Sequence, residues 1–158
     1  MAIFIKIDGV EGESQKAGFE GQMESEAFSF GVSAPHAPEG SGHSGGQIHA
    51  HEAQFAVAEG RHSVEFWKKI TTGTHFPTMI VSMTKQTGDG QQQVWKEYTF
   101  SSVYVTSVNS ADSADGPSRQ SLSVAADVFK VDYKAQDASG ALKSVGSTEY
   151  NIRKAQTA

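Results

Sequence analysis

Two histidines two residues apart form the best metal-ligand pattern in this sequence. His49-Ala50-His51 places both imidazoles on one face of a predicted strand, because side chains along a strand alternate between its two faces. Metal-binding β-barrels hold an ion with such a pair and further ligands. The positions four and five after His51 are Phe55 and Ala56, which cannot bind a metal. We therefore expect no metal and no cofactor, with His49 and His51 as the alternative ligands.

A second chemical pattern lies just before these histidines. Residues 42–46, with the letters GHSGG, match the G-x-S-x-G string that presents a nucleophilic serine in α/β-hydrolases. That motif needs a sharp turn from a strand into a helix, whereas this string lies in a Gly- and Ser-rich loop before a predicted strand. The carboxylate pairs Glu11/Glu13 and Glu24/Glu26 lack the apolar surroundings of a catalytic acid and base. No catalytic residue is predicted, and the chain is not expected to be an enzyme.

The composition of the chain narrows the classes further. Its 158 residues include no cysteine, which excludes disulfides and thiolate chemistry. The net charge of −5 repels phosphate backbones and anionic lipids, so nucleic acid is not an expected partner. No run approaches the roughly 18 apolar residues of a membrane span, so membrane insertion is not expected. The first eight residues lack the parts of a signal peptide, and we expect export, if it occurs, without a cleaved signal peptide.

The elements that position these residues are predicted to be mostly strands. Leucine is scarce while Val, Ile, Thr and Phe are plentiful, which favours a pleated sheet. Ile3, Ile5 and Ile7 alternate with other residues and predict a first strand with one apolar face. A change of the apolar set from even to odd numbers predicts a bulge near Phe129. The predicted strands are residues 3–8, 24–32, 47–57, 79–85, 93–101, 102–108, 122–133 and 148–152.

One segment has helical spacing instead. Val64, Trp67 and Ile70 recur on one helical face, Ser63 is the expected N-cap, and Gly73 can end the helix. The sequence therefore predicts one short α-helix over about residues 63–72.

The remaining segments are predicted loops between strands that need neighbours. Residues 33–46 form a long extended loop rich in Gly, Pro and Ser, and residues 109–120 form a second loop. Nothing marks a domain boundary, so residues 1–158 are predicted to form a single domain. The fold class is mainly β: a closed or nearly closed antiparallel β-barrel of about eight or nine strands with one helix.

Several strings along nearly the whole chain are similar to those of one known family. Residues 5–14 resemble an opening strand with a G-E-S turn, and residues 28–33 resemble the string W-S-W-G-x-S. Residues 72–75, 102–108 and 150–153 are similar to S-G-K-H, V-L-V-S-S-V and W-N-I-R. In this order and spacing the strings resemble the Hcp family, which forms the inner tube of the bacterial type VI secretion system. The sequence departs from the family pattern at Phe28, Phe30 and Tyr150, where many members have Trp, and at Thr74, where they have Lys.

The resemblance implies a structural protein. It implies a β-barrel protomer that assembles as a homohexameric ring, with rings stacking into a tube. Contraction of a surrounding sheath drives the tube and its spike protein out of the cell, and the lumen can hold small effector proteins. The implied partners are further copies of the chain, the contractile sheath, the spike protein and effectors. The implied location is cytoplasmic before firing and secreted afterwards.

Two surface features are the expected contacts of such an assembly. Residues 35–47 project and include almost no core residues, so we expect them to make the stacking contact between rings. Ser29 lies on the strand face opposite Phe28 and Phe30, which makes it either a lumen or cargo contact or an ordinary solvent-facing serine. The expected stacking residues are Pro35, His36, Pro38, Glu39, His43 and Gln47.

Two other functions stay open at this point. A metal-dependent, cupin-like barrel enzyme would use His49 and His51, and a monomeric β-barrel binding module would hold a small ligand by itself. The mass in solution separates the module from the ring, since the module stays at the 16.9 kDa of one chain.

Overall fold

Ten strands and one short helix make up the part of the chain that the structure describes. This structure is a computed structural model, and it describes residues 1–35, 48–86 and 91–157. The elements are β1 (Ala2–Ile7), β2 (Met23–Ser29), β3 (Val32–Ser33), β4 (His49–Ala50), β5 (Ala53–Ala58), α1 (Ser63–Thr72), β6 (His75–Gln86), β7 (Gln92–Ser113), β8 (Gly116–Gln136), β9 (Leu142–Asn151) and β10 (Gln156–Thr157).

Six of these strands close an antiparallel barrel. The ring runs β1–β2–β5–β8–β7–β6 and returns to β1. β9 pairs with β8 and β10 pairs with β9, both outside the ring, while β3 and β4 form a separate two-stranded hairpin. The predicted mainly-β fold with a closed antiparallel barrel and one helix is therefore confirmed, but the barrel has six strands where about eight or nine were predicted. One edge of the long strand β8 pairs with β7. Its other edge pairs with β5 as far as Val124 and with β9 from Val128 onward.

The barrel encloses one apolar core. Ile3, Ile5 and Ile7 of β1 all point into it, because residues two apart in a strand share a face. α1 contributes Phe66, which is fully buried, with its ring centroid 6.1 Å from that of Phe55 and 5.9 Å from that of Phe76. The helix is therefore anchored in the core by one aromatic side chain.

The outer face of β1 is covered as well. Phe4 alternates with the inward isoleucines and shares its face with Lys6, which predicts an exposed ring. It is instead fully buried, because Phe19 from the segment between β1 and β2 stacks on it, with ring centroids 4.3 Å apart. A contact between residues far apart in the chain thus buries a side chain that local alternation places outside.

The helix α1 occupies the predicted segment but has a different buried face and a different cap. Val64 and Trp67 of the predicted face are exposed, and Phe66 is buried instead. Ser63 is the first helical residue, and the N-cap is His62, whose side chain makes no capping hydrogen bond. The Ser63 hydroxyl oxygen accepts a hydrogen bond from the Gly60 N–H at 2.9 Å instead. At the other end Gly73 has a φ of 68°, in the left-handed region that favours glycine, and it ends the helix as predicted.

Two predicted strands are shorter than expected because a local hairpin interrupts them. The predicted strand 24–32 leaves the barrel after Ser29, and the predicted strand 47–57 divides into β4 and β5. Val32 pairs with Ala50 and Ser33 pairs with His49, so β3 and β4 pair with each other instead of with barrel strands. The period-2 pattern continues through both segments and contains no signal for this change of partner.

The predicted loop at 109–120 is wrong. β7 is one strand from Gln92 to Ser113, and β8 begins at Gly116 after a turn of two residues. Asn109 pairs with Ser121 inside this long hairpin. Much of the hairpin tip is exposed, so it needs no apolar residues, and its Ser- and Asp-rich composition is that of a loop.

The inward face of β8 changes from even to odd numbers where the sequence predicts it. Val124 and Phe129 are both buried, although they are five residues apart. β7 and β8 keep one register across this level, so the bulge predicted near Phe129 is not found between them. On β7 the buried set also changes, from Phe100 to Val103, and between them Ser102 has a φ of 53°. Both strands therefore change, at the same level of the sheet, which of their faces points into the core.

Candidate functional site

The outer wall of the barrel around Ser29 consists of uncharged side chains. Two neighbouring rows of paired residues cross β2, β5, β8 and β7, and we call these eight residues the Ser29 face. The first row is Ser29, Gln54, Ser123 and Ser107, and the second is Ala27, Ala56, Ser121 and Asn109. All eight line a shallow cavity of about 410 Å³. Arg119 of β8, two residues before Ser121, forms an ion pair with Glu26.

The Ser29 face lies on a four-stranded segment with two open edges. Among the described strands, β1 pairs with β2 only over Met23–Ser25, so the residues 27–29 of β2 have no partner on that side. At the opposite edge, β6 pairs with β7 only as far as Tyr104. Residues 105–113 of β7 therefore have no strand partner on that side among the described strands. Unpaired strand edges are templates for pairing with another chain.

The expected stacking residues lie almost entirely outside the described ranges. Pro35 is exposed and follows β3. His36, Pro38, Glu39, His43 and Gln47 fall within residues 36–47 and are not described. The two ends of this segment are held together by the β3–β4 hairpin and by a hydrogen bond from the His51 N–H to the Gly31 carbonyl oxygen at 2.8 Å.

The paired histidines lie on the exposed β3–β4 hairpin. His49 belongs to β4 and His51 follows it, so the two do not share one continuous barrel strand. Both are exposed. Within residues 1–35, 48–86 and 91–157, no group of three or more His, Cys, Asp or Glu side chains could hold a metal ion.

An apolar groove beside the hairpin was not predicted. It has a volume of about 550 Å³, and its residues come from β3, β7, β8, β9, β10 and the residues beside β3 and β4. Phe30 lines it, and the Phe30 ring centroid lies 5.1 Å from that of Phe129 and 6.0 Å from that of Tyr98. In the sequence, its aromatic residues lie in segments that are far apart in the chain, so no local pattern indicates the groove.

The described part of the chain contains no helix that is long and apolar enough to cross a membrane.

Comparison with known proteins agrees with this fold. Residues 4–137 match the protein family described as "Type VI secretion system effector, Hcp". No curated protein matches the chain. Among solved structures, one described as a type six secretion system protein is 21% identical, covers 99% of both chains and superposes with a TM-score of 0.89. Hcp1 from Salmonella typhimurium is 23% identical over 99% of this chain and 98% of its own, with a TM-score of 0.78.

A type VI secretion system effector from Yersinia pestis is 21% identical over 95% of this chain and 99% of its own, with a TM-score of 0.73. At these identities the structures establish a shared fold, whereas the family match covers most of the sequence. The resemblance of the short strings is thereby confirmed, and the chain belongs to the Hcp family of type VI secretion system tube and effector proteins.

Proposed function

We propose that this chain is a subunit of the inner tube of a type VI secretion system. It assembles as a hexameric ring, rings stack into a tube, and sheath contraction exports the tube with its spike protein. Small effector proteins are carried in the lumen. The protein is cytoplasmic before firing and is secreted afterwards. Membership of the family supports the tube assignment, and it makes the chain a structural protein and not an enzyme using His49 and His51.

The open edges of β2 and β7 are the observation that supports assembly into a ring. The four strands β7, β8, β5 and β2 alternate in direction, so β2 of one copy and β7 of the next are antiparallel when they meet. This is a head-to-tail contact between two different edges, and such a contact gives a closed ring when its rotation closes. The number of six copies comes from the family.

The Ser29 face supports the lumen role. When the edges join, the sheets of neighbouring copies form one continuous wall, and the body of each barrel lies behind it. The Ser29 face then lines the lumen. Apart from Gln54 and Asn109, its side chains are serine or alanine, so a cargo protein can approach the backbone closely without meeting an unpaired charge. Ser29 lies at the edge of this wall, where two copies meet.

The segment 35–47 remains the proposed stacking contact. Its described neighbours support this, because β3 and β4 form a sheet separate from the barrel. Pro35, His36, Pro38, Glu39, His43 and Gln47 are the residues we expect at the next ring.

Light scattering and electron microscopy of the purified protein test the proposal. We expect a mass six times the 16.9 kDa of one chain at micromolar concentration, and hollow rings in negatively stained images. A mass of one chain with no ring at any concentration would contradict the tube assignment and favour a monomeric binding module.

A further inference from the structure

His62 is buried at the junction between the barrel and the start of α1. Only 5% of the residue is exposed. Its Nε2 lies 3.0 Å from the carbonyl oxygen of Ala58, the last residue of β5. Because a carbonyl oxygen only accepts hydrogen bonds, Nε2 carries the proton in this contact. The neutral ring therefore has its bare nitrogen at Nδ1.

Nδ1 has no hydrogen-bond partner among the described residues and is buried. A second proton on the ring would have to sit at this atom. The resulting N–H would be buried without an acceptor, on a ring that also carries a full charge. Both conditions oppose protonation in the closed structure. Burial accordingly lowers the pKa of His62 below the ordinary value of 6.5, although the contact with Ala58 and the charges of Glu13 and Glu59 act in the opposite direction.

Carboxylates surround this junction on the solvent side. Glu13 from the β1–β2 segment, Glu24 from β2 and Glu59 after β5 line the same small cavity as His62. The neighbouring cation Arg61 is already paired, since its guanidinium lies 3.5 Å from Glu11 and 3.8 Å from Glu13. A protonated His62 is therefore attracted outward, toward exposed carboxylates, and is repelled from its buried position.

The position of His62 links its protonation to the helix. It is the N-cap residue of α1, and one turn later Phe66 enters the core. The ring of His62 also lies edge-on to that of Phe66, with centroids 6.4 Å apart and an angle of 78°. A weak hydrogen bond from Gln120 Nε2 to the Ser63 carbonyl oxygen, at 3.3 Å, also joins the helix start to the barrel strand β8.

We propose that His62 is an acid-sensitive latch that holds the start of α1 to the barrel when neutral and releases it when protonated. Release moves the imidazolium toward Glu13 and Glu59 and opens the helix start, which loosens the packing of Phe66. This behaviour belongs to the single protomer and does not depend on the proposed tube.

The direction of the pH dependence follows from linkage. The unfolded or opened chain binds the proton near pH 6.5, while the closed chain binds it only at lower pH. The equilibrium constant for opening therefore rises as the pH falls below 6.5, by up to about tenfold for each pH unit, and the rise stops below the pKa of the closed state.

Hydrogen exchange and tryptophan fluorescence test the latch. We expect the amides of residues 64–72, corrected for intrinsic exchange, to lose protection between pH 7 and pH 5, and Trp67 fluorescence to change over the same range. In His62→Gln the amide Nε2 can still donate to Ala58 but does not titrate, so the loss should be absent. The matched control is His75→Gln, a change at an exposed histidine, which should keep the full pH response.

An unchanged pH response in His62→Gln would overturn the proposal. If His62→Gln does not fold, nuclear magnetic resonance of the unaltered protein decides the question. The His62 ring should then titrate at the same pH at which the α1 amides lose protection. Titration near pH 6.5 without loss of α1 protection would show that the histidine is not a latch.

Discussion

Ser29 of β2 and Ser107 of β7 stand at opposite ends of one row of paired residues that crosses four strands, and each lies on an open edge. Strands in a sheet are about 4.8 Å apart, so three spacings separate the two serines by roughly 14 Å within one chain. A disulfide needs Cα atoms within about 7 Å. Any direct cross-link between these positions must therefore join two copies.

Cysteine pairs across the two edges should link neighbouring copies. The chain has no cysteine of its own. We expect Ser29→Cys combined with Ser107→Cys, Asn109→Cys or Ala111→Cys to give, in one of these three registers, a disulfide-linked ladder of up to six chains on non-reducing gels. Each single variant is the control and should give no ladder. Absence of a ladder in all three pairs, in protein that has the ring mass, would exclude this edge contact.

Ser29→Arg should change cargo retention without unfolding the protomer. Ser29 is exposed, so we expect the free energy of unfolding to change by no more than about 0.5 kcal/mol. Placing a long cation on an uncharged lumen wall should lower the amount of co-exported effector protein, measured by mass spectrometry of the culture supernatant. Lys130→Arg, a change that keeps the charge at an exposed site on β8, is the control. Equal effector export in both variants would remove Ser29 from the lumen assignment.

Replacing residues 36–47 with a short Gly-Ser turn should abolish stacking only. β3 and β4 already pair on both sides of this segment, so the hairpin can close without it. We expect an unchanged far-ultraviolet circular dichroism spectrum and an unchanged ring mass, with no stacked tubes in negatively stained images. A loss of the β spectrum would show that the segment supports the fold instead.

Phe66→Ala should destabilise the protomer far more than Val64→Ala. Phe66 is fully buried among core aromatics, whereas Val64 on the same helix is 57% exposed. Removing the buried ring leaves a cavity and should lower the free energy of unfolding by roughly 3–5 kcal/mol. Val64→Ala should change it by no more than about 0.5 kcal/mol. Urea denaturation followed by circular dichroism measures both, and equal effects would mean that α1 does not anchor in the core.

The turn between β8 and β9 should respond to acid through Asp137. Hydrogen bonds from the Ser139 hydroxyl, and then from Lys143, hold the pKa of Asp137 below its ordinary value of 3.8. Because the folded-state pKa is lowered, the stabilisation is complete above the unfolded value and is lost as the pH falls through the folded value. Asp137→Asn should therefore be less stable than the unaltered protein at pH 7, with the difference shrinking below about pH 3.8.

Thermal denaturation from pH 7 to pH 3 measures this difference. Asp115→Asn, at the exposed turn between β7 and β8, is the matched control and should show a smaller difference. A constant difference between the unaltered protein and Asp137→Asn across the whole pH range would contradict the electrostatic explanation.

Local patterns in the sequence were sufficient to locate β1 and α1. The alternation of Ile3, Ile5 and Ile7 places one face of β1 in the core, as the hydrophobic effect requires. The spacing of Val64, Trp67 and Ile70 predicted where α1 lies but not its buried face, because Phe66 is buried while Val64 and Trp67 are exposed. The family also followed from the sequence, since short strings in a fixed order survive where overall identity is low.

The long β7–β8 hairpin, its open edge and the burial of Phe4 by Phe19 were decided only by the tertiary structure. The same holds for His62, which flanks a helix in the sequence but is buried in the fold. Each of these features depends on partners distant in the chain. Strand pairing uses the backbone, which is the same for every residue type apart from proline, so a Ser-rich strand and a Ser-rich loop look alike until the neighbouring strand is in place.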